Sequence, residues 1–304
     1  MGSRLTIRTP ADFVLARDVC SYGYFRLPPD QWDPETQTLT TIFDLDDGPT
    51  RLVIAEPEPG ALKARFDRSM SRTEQNEARA QIARMLRLHE TEADIEAFHT
   101  IDPRWKPGGR ARIFRSPTLF QDIVRTITSC NITWPGTVSM NRRLCQVLGR
   151  KGAFPSPKRL ARTRPGTLRG RCRVGYRDTR LIELARMFAR NEIDEPWLED
   201  PQVPDTEVYT HLLTLPGVGP YGASNILQLL GRYSRLAVDT ETVRHAKTVL
   251  GLTGEDPQII KALQKHYDQF GAHKFRSYWL ELWTDYESRE GPAWTWKPHP
   301  VPKQ

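Results

Sequence analysis

Two prolines bracket the stretch that most restricts this chain, Leu215-Pro216-Gly217-Val218-Gly219-Pro220-Tyr221. Proline ends a helix, and it opens one well at the first position, where a missing N–H is no loss. One helix is therefore expected to carry Leu212, Leu213 and Leu215 into the core, and a second to carry Ala223, Ile226, Leu227 and Leu230 at helical spacing. Gly217 and Gly219 are expected to take backbone angles closed to other residues. Such a hairpin leaves the amides of Gly217, Val218 and Gly219 pointing outward at a helix N-terminus. That setting suits a phosphate oxygen, through unpaired donors and the positive end of the dipole. The same turn is also an ordinary helix–helix connection.

Downstream, after an apolar helix and a basic turn (Gly231, Arg232, Arg235), Val238-Asp239-Thr240 stands just ahead of another helical pattern. Asp is a favoured N-cap, so Asp239 can be a cap, a functional carboxylate, or both. Taken together, Leu215 to Gly219, Tyr221 and Asp239 resemble the signature of the helix-hairpin-helix DNA glycosylase superfamily. The resemblance implies that Asp239 is the catalytic carboxylate and that Gly217, Val218 and Gly219 hold a DNA phosphate. It further implies that Tyr221 lies at the mouth of the base pocket, with a monovalent cation, Na+ or K+, at the carbonyls of Leu215 and Val218. In bifunctional relatives a lysine at the position of Tyr221 forms a Schiff base with the sugar, and elimination then nicks the strand. Tyrosine cannot, so hydrolysis stopping at an abasic site is expected, without lyase activity.

A second joint carries the same resemblance. Ser116-Pro117 opens a helix with Leu119, Phe120, Ile123, Val124 and Ile127 on one stripe, ending at Ser129-Cys130-Asn131 before a helix through Val138, Met140 and Leu144. Asn131 matches the asparagine that, in the 8-oxoguanine glycosylase branch, enters the gap left by an extruded base; a plain helix C-terminal residue is the alternative. Thr126 stands where adenine-mismatch glycosylases carry an acidic residue, which argues against adenine excision. Between residues 150 and 180 cations crowd among prolines and glycines, and Arg169, Arg171, Arg173 and Arg177 are candidates for tracking phosphates. Gly175-Tyr176-Arg177 is similar to a stretch of the 8-oxoguanine branch, which makes Tyr176 a base-pocket candidate. Asp178 is suited to capping the helix that follows. Late in the chain stands an aromatic helix; the resemblance implies that Tyr278, Trp279 and Leu282 on it are further pocket wall, while core packing is the better reading of each from the residues alone.

The 304 residues can bury a substantial core, and 44 Lys and Arg against 37 Asp and Glu give a net charge of +7, favouring a polyanionic partner. Cys20, Cys130, Cys145 and Cys172 form no CxxC pair and none follows position 172, so no zinc or iron–sulfur site is expected, and no cofactor beyond the hairpin cation. No apolar run is long enough to cross a bilayer, and the N-terminus lacks the apolar core of a signal peptide. The expectation is a soluble, cytoplasmic monomer without membrane contact, nucleoid-associated if bacterial, whose partner is double-stranded DNA containing a damaged base.

The fold class expected is α+β. Segments 4–8, 12–20, 39–44 and 51–55 read as strands of an N-terminal antiparallel sheet spanning residues 1–70, with Tyr22, Tyr24, Phe25 and Trp32 as core or recognition surface. From the capping pattern Ser71-x-x-Glu74 onward the chain reads as helical, and the resemblance implies that residues 71–304 form a two-lobed core. One lobe is expected near 113–230 and the other from 71–112 with 231–304. The proline- and tryptophan-rich tail from Gly291 to Gln304 reads as extended packing. The function expected is a monofunctional DNA glycosylase that flips a damaged base, an alkylated purine first among candidates, and hydrolyses its N-glycosidic bond. Mismatched thymine or uracil and 8-oxoguanine are alternative substrates, and a non-catalytic helix-hairpin-helix DNA-binding protein is the alternative from another class.

Overall fold

A computed structural model describes residues 2–297; the part of the expected tail beyond 297 lies outside the described residues. The N-terminal segment forms five antiparallel strands, β1 (Arg4–Arg8), β2 (Gln31–Asp33), β3 (Thr38–Leu45), β4 (Gly48–Glu58) and β5 (Ala61–Phe66). Their order is β1-β5-β4-β3-β2. Alternation produces one buried face: in β3, Leu39, Thr41, Phe43 and Leu45 point inward while their neighbours are partly exposed.

Helices follow in chain order: α1 (Leu15–Val19), α2 (Arg72–Met85), α3 (Glu92–Ile101), α4 (Leu119–Ser129), α5 (Trp134–Leu148), α6 (Pro157–Ala161) and α7 (Pro165–Thr167). After them come α8 (Asp178–Ala189), α9 (Glu195–Glu199), α10 (Asp205–Leu212), α11 (Pro220–Leu229), α12 (Thr240–Thr248), α13 (Asp256–Tyr267) and α14 (Lys274–Glu290). Among the described residues no helix is long and apolar enough to cross a membrane.

Residues 12–20 correct the strand expected there. Asp18, buried within them, accepts the Val14 amide at 3.1 Å and pairs with Arg17 at 2.7 Å, so the segment winds into α1. A local carboxylate that satisfies helix-start amides outweighs a short apolar alternation. Tyr22, Tyr24, Phe25 and Trp32 are all buried and belong to the core. Ser71 caps α2 through the Glu74 amide, but the Glu74 side chain does not reach back; it takes the Asp47 amide and the Arg68 guanidinium, which holds its carboxyl down at about 2.

The compact units follow a different division from the expected one. Among the described residues the first comprises 2–92, 112–193 and 292–297, and the second 93–111 and 194–291. In the first unit the sheet segment is tied into the helices. The Tyr24 hydroxyl meets Thr126 at 3.0 Å, Arg125 donates to the Leu27 carbonyl at 2.9 Å, and Arg150 pairs with Asp44 at 2.7 Å. A sheet with one apolar face needs such a cover, so it does not end as a separate unit near residue 70. In the second unit the hairpin helices join the chain after 230. Buried Arg232 donates to the Val203 carbonyl at 2.6 Å and pairs with Asp205 at 2.7 Å.

Candidate active site and nucleic-acid interface

The hairpin lies in the second unit between α10 and α11. Leu212 and Leu215 are buried as expected, but Leu213 is 39% exposed, one step off the inward stripe. Gly217 has φ +84°, which favours glycine, and the Val218 amide closes the turn on the Leu215 carbonyl at 3.1 Å. Gly219 corrects the expectation: its φ of −103° and ψ of −173° are open to any residue, and a Cβ built there would meet nothing within 4 Å. Neither backbone angle nor packing asks for glycine at this position. Pro220 starts α11, with Tyr221 half-buried at its second position.

Asp239 caps α12 with a full reciprocal box. Its Oδ1 accepts the Thr242 amide at 2.9 Å and the Thr242 hydroxyl at 3.0 Å, while its own amide donates to that hydroxyl at 3.0 Å. Burial pushes the Asp239 carboxyl up from its ordinary range, against the pull of the Thr242 bonds and with help from neighbouring Glu241. Behind it, the Tyr278 hydroxyl donates to the Thr242 hydroxyl at 3.0 Å. Thr242 was not foreseen, although Asp239 and Thr242 stand at capping-box spacing in the sequence.

Tyr278 and Leu282, expected as pocket wall, are each only 2% exposed. Core packing claims both: Tyr278 lies edge-on to His245 and Tyr267, with ring centroids 5.6 and 5.5 Å apart. Trp279 is half-buried and stacked between Phe275 at 6.1 Å and Trp283 at 5.4 Å.

In the first unit Asn131 sits at the joint of α4 and α5 with φ +51°, a left-handed angle that asparagine tolerates better than most residues. It is exposed, and its Nδ2 donates to the Tyr176 hydroxyl at 3.2 Å. Tyr176 is 54% exposed, with the Arg177 guanidinium 4.5 Å from its ring centroid. Ile132, next to Asn131, is a 40% exposed apolar side chain that periodicity did not flag.

Arg177 is corrected as a phosphate ligand. It is buried and donates to the main-chain carbonyls of Ile127 at 3.0 Å, Val174 at 3.2 Å and Cys130. The carbonyls of Ile127 and Cys130 lie at the end of α4, where a cation is favoured, so Arg177 braces the joint that presents Asn131. Arg169, Arg171 and Arg173 are exposed, and Arg169 pairs with Asp178 at 2.7 Å. Asp178 is thus the first residue of α8 and an ion-pair partner, not the cap expected. Thr126 is fully buried against Tyr24.

No protein-family model matches the sequence, and no curated protein matches it at a significant level. Solved structures do match over nearly the whole chain. The 3-methyladenine DNA glycosylase of Archaeoglobus fulgidus aligns with a TM-score of 0.69 at 15% identity, covering 93% of this chain and 99% of its own. MBOgg1, solved with a low-affinity DNA ligand, aligns at 0.68 and 20% identity, covering 95% and 98%. The chain has the fold of the helix-hairpin-helix DNA glycosylases. The 8-oxoguanine glycosylase/lyase of Clostridium acetobutylicum shares this glycosylase fold at 0.66 and 16% identity, covering 93% and 97%. On the glycosylase fold, the α+β class and the N-terminal sheet expected from sequence both hold.

Proposed function

We propose that this protein is a monofunctional DNA glycosylase that binds double-stranded DNA, flips out a damaged base and hydrolyses its N-glycosidic bond to leave an abasic site. The observation that carries the reading is Asp239, a half-buried carboxylate with Oδ1 held by Thr242, on a chain whose glycosylase fold also supplies the hairpin. Breaking the bond builds positive charge on the sugar, which a preorganised carboxylate stabilises while it orients or deprotonates water. Gly217, Val218 and Gly219 offer main-chain contact to a phosphate, and the open side of Gly219 permits close approach. An alkali cation, if bound, would be held by the carbonyls of Leu215 and Val218; Leu215 O accepts the Val218 amide at 3.1 Å and keeps a second lone pair for it. Asn131, with Tyr176 bonded to it, would fill the space the base vacates.

Release of free base from duplexes carrying alkylated purines, hypoxanthine, uracil, mismatched thymine or 8-oxoguanine tests the reading. Borohydride trapping on the same duplexes tests for a lyase step. No release from any of them, with DNA binding retained, selects the non-catalytic alternative, which the complete capping box of Asp239 also suits.

Tyr221 bears on the substrate. A ring at the pocket mouth stacks on an extruded base for about 1–3 kcal/mol. A cationic alkylated purine gains about 0.5–2 kcal/mol more. Tyr221→Ala is therefore expected to slow release of cationic bases more than of neutral ones. Equal losses accompanied by a large fall in melting temperature would make Tyr221 a core residue instead.

Exposed Arg169, Arg171 and Arg173 bear on DNA binding. Affinity for duplex is expected to fall with a log–log salt slope of about −0.9 per phosphate neutralised, and replacing the three with alanine is expected to flatten it. An unchanged slope would move the phosphate track elsewhere.

A further inference from the structure

The hydroxyl of Thr242 is a crossing point whose hydrogens can be counted. A hydroxyl has one hydrogen to donate and two lone pairs. The Asp239 amide, which can only donate, takes one lone pair at 3.0 Å. The Tyr278 hydroxyl lies 3.0 Å from the same oxygen. The Thr242 hydrogen has two carbonyl-type acceptors in reach, Asp239 Oδ1 at 3.0 Å and the Ala237 carbonyl at 3.2 Å. A phenol is the stronger donor of the two hydroxyls. Burial, with Asp239 next, pushes the Tyr278 hydroxyl well above its ordinary range, so its hydrogen is always present. Once Tyr278 donates, both Thr242 lone pairs are filled and its hydrogen is directed away from the ring, to the shorter and charged acceptor. Donation into a hydroxyl also strengthens what that hydroxyl donates. The ring of Tyr278 packs against His245, Tyr267 and Phe275, and its hydroxyl is set on Thr242. Both hydrogen bonds from Thr242 to the Asp239 side chain fall on Oδ1, and the Glu241 amide also favours the ionised carboxylate.

We propose that Tyr278 is a positioning residue for base release: by donating to Thr242 it turns the Thr242 hydrogen onto Asp239 Oδ1 and so holds the carboxylate in the orientation in which it meets sugar and water. The inference rests on the reading of Asp239 as the reacting carboxylate. The charged and titratable groups around the Tyr278–Thr242–Asp239 network are Glu241, Arg244 and His245 on α12, Tyr267 on α13, and Glu281, Asp285, Tyr286 and Arg289 on α14, with Glu281 accepting the Tyr267 hydroxyl at 3.0 Å and lying 3.2 Å from His245. Glu241 is held by Arg244 at 2.8 Å and Tyr286 at 2.6 Å.

The test compares Tyr278→Phe, Thr242→Val, Thr242→Ser and the double variant Tyr278→Phe/Thr242→Val. Two quantities are read: single-turnover base release against pH, and the titration of the Asp239 carboxyl carbon by NMR in the free protein. Tyr278→Phe is expected to slow release about tenfold, the scale of one hydrogen bond, with DNA affinity unchanged. Its acid limb and carboxyl titration are expected to move to higher pH, Thr242→Val further, and Thr242→Ser to stay near the unsubstituted protein. Because Tyr278 acts through Thr242, adding Tyr278→Phe to Thr242→Val is expected to change neither quantity. An Asp239 titration unmoved by Tyr278→Phe, or an equal cost of Tyr278→Phe in both backgrounds, would overturn the proposal. Absence of base release by the unsubstituted protein would overturn the reading of function instead. The carboxyl titration needs no activity and still decides whether Tyr278 governs Asp239.

Discussion

Asp239→Asn is expected to slow base release by at least about a hundredfold while fold and DNA affinity persist, the scale lost when one preorganised electrostatic group is removed. Asparagine caps helices as well as aspartate does, so its side-chain oxygen can keep the Thr242 amide now held at 2.9 Å, and α12 keeps its start. What disappears is the negative charge. The pH profile separates this from misfolding. The carboxyl is pushed up by burial, so the active, ionised form is lost as pH falls through a point above the ordinary carboxylate range. The variant's residual rate should lack that acid limb. Circular dichroism and duplex titration, run beside the rate, check the other half. A near-normal rate would leave Asp239 as a cap alone.

Arg125→Met is expected to destabilise the first unit by about 3–5 kcal/mol, because removing one partner of a buried pair strands the other charge. Arg125 and Asp30 are both fully buried side chains, 2.9 Å apart. Arg125 also donates to Ser116 Oγ at 3.1 Å and the Leu27 carbonyl at 2.9 Å, and Asp30 accepts the Thr41 hydroxyl at 2.6 Å. Methionine matches the length of the stem but satisfies none of these groups. The melting temperature of the unfolding transition should fall on the order of 10 °C. Replacing Asp30 with leucine as well is expected to restore part of the loss, since the stranded carboxylate is then gone. No loss in the single variant would show that water reaches Asp30.

What could be read from the sequence alone was local chemistry. Prolines at 216 and 220 and the positive-φ glycine at 217 are short-range constraints, and the hairpin they specify is present. The aspartate before α12 caps it as its residue type requires. Strand segments near 4–8, 39–44 and 51–55 alternate, and they lie in the sheet. Short β2 is too brief to show alternation, the strand Ala61–Phe66 went unread although Leu62, Ala64 and Phe66 alternate with Lys63 and Arg65, and residues 12–20 failed because a single buried carboxylate set the backbone.

Tertiary structure decided which polar side chains are spent inside the fold. Arg177 looks identical in sequence to Arg171 and Arg173, yet its guanidinium is buried on three carbonyls while theirs are exposed. Tyr278 reads as one more aromatic on an aromatic helix, and only a partner thirty-six positions earlier, Thr242, makes it part of the Asp239 network. The division into units was likewise out of reach. Capping, helix stops and turn angles are settled by a few consecutive residues, whereas which charge is neutralised, and which hydroxyl has a partner, depends on segments far apart in the chain.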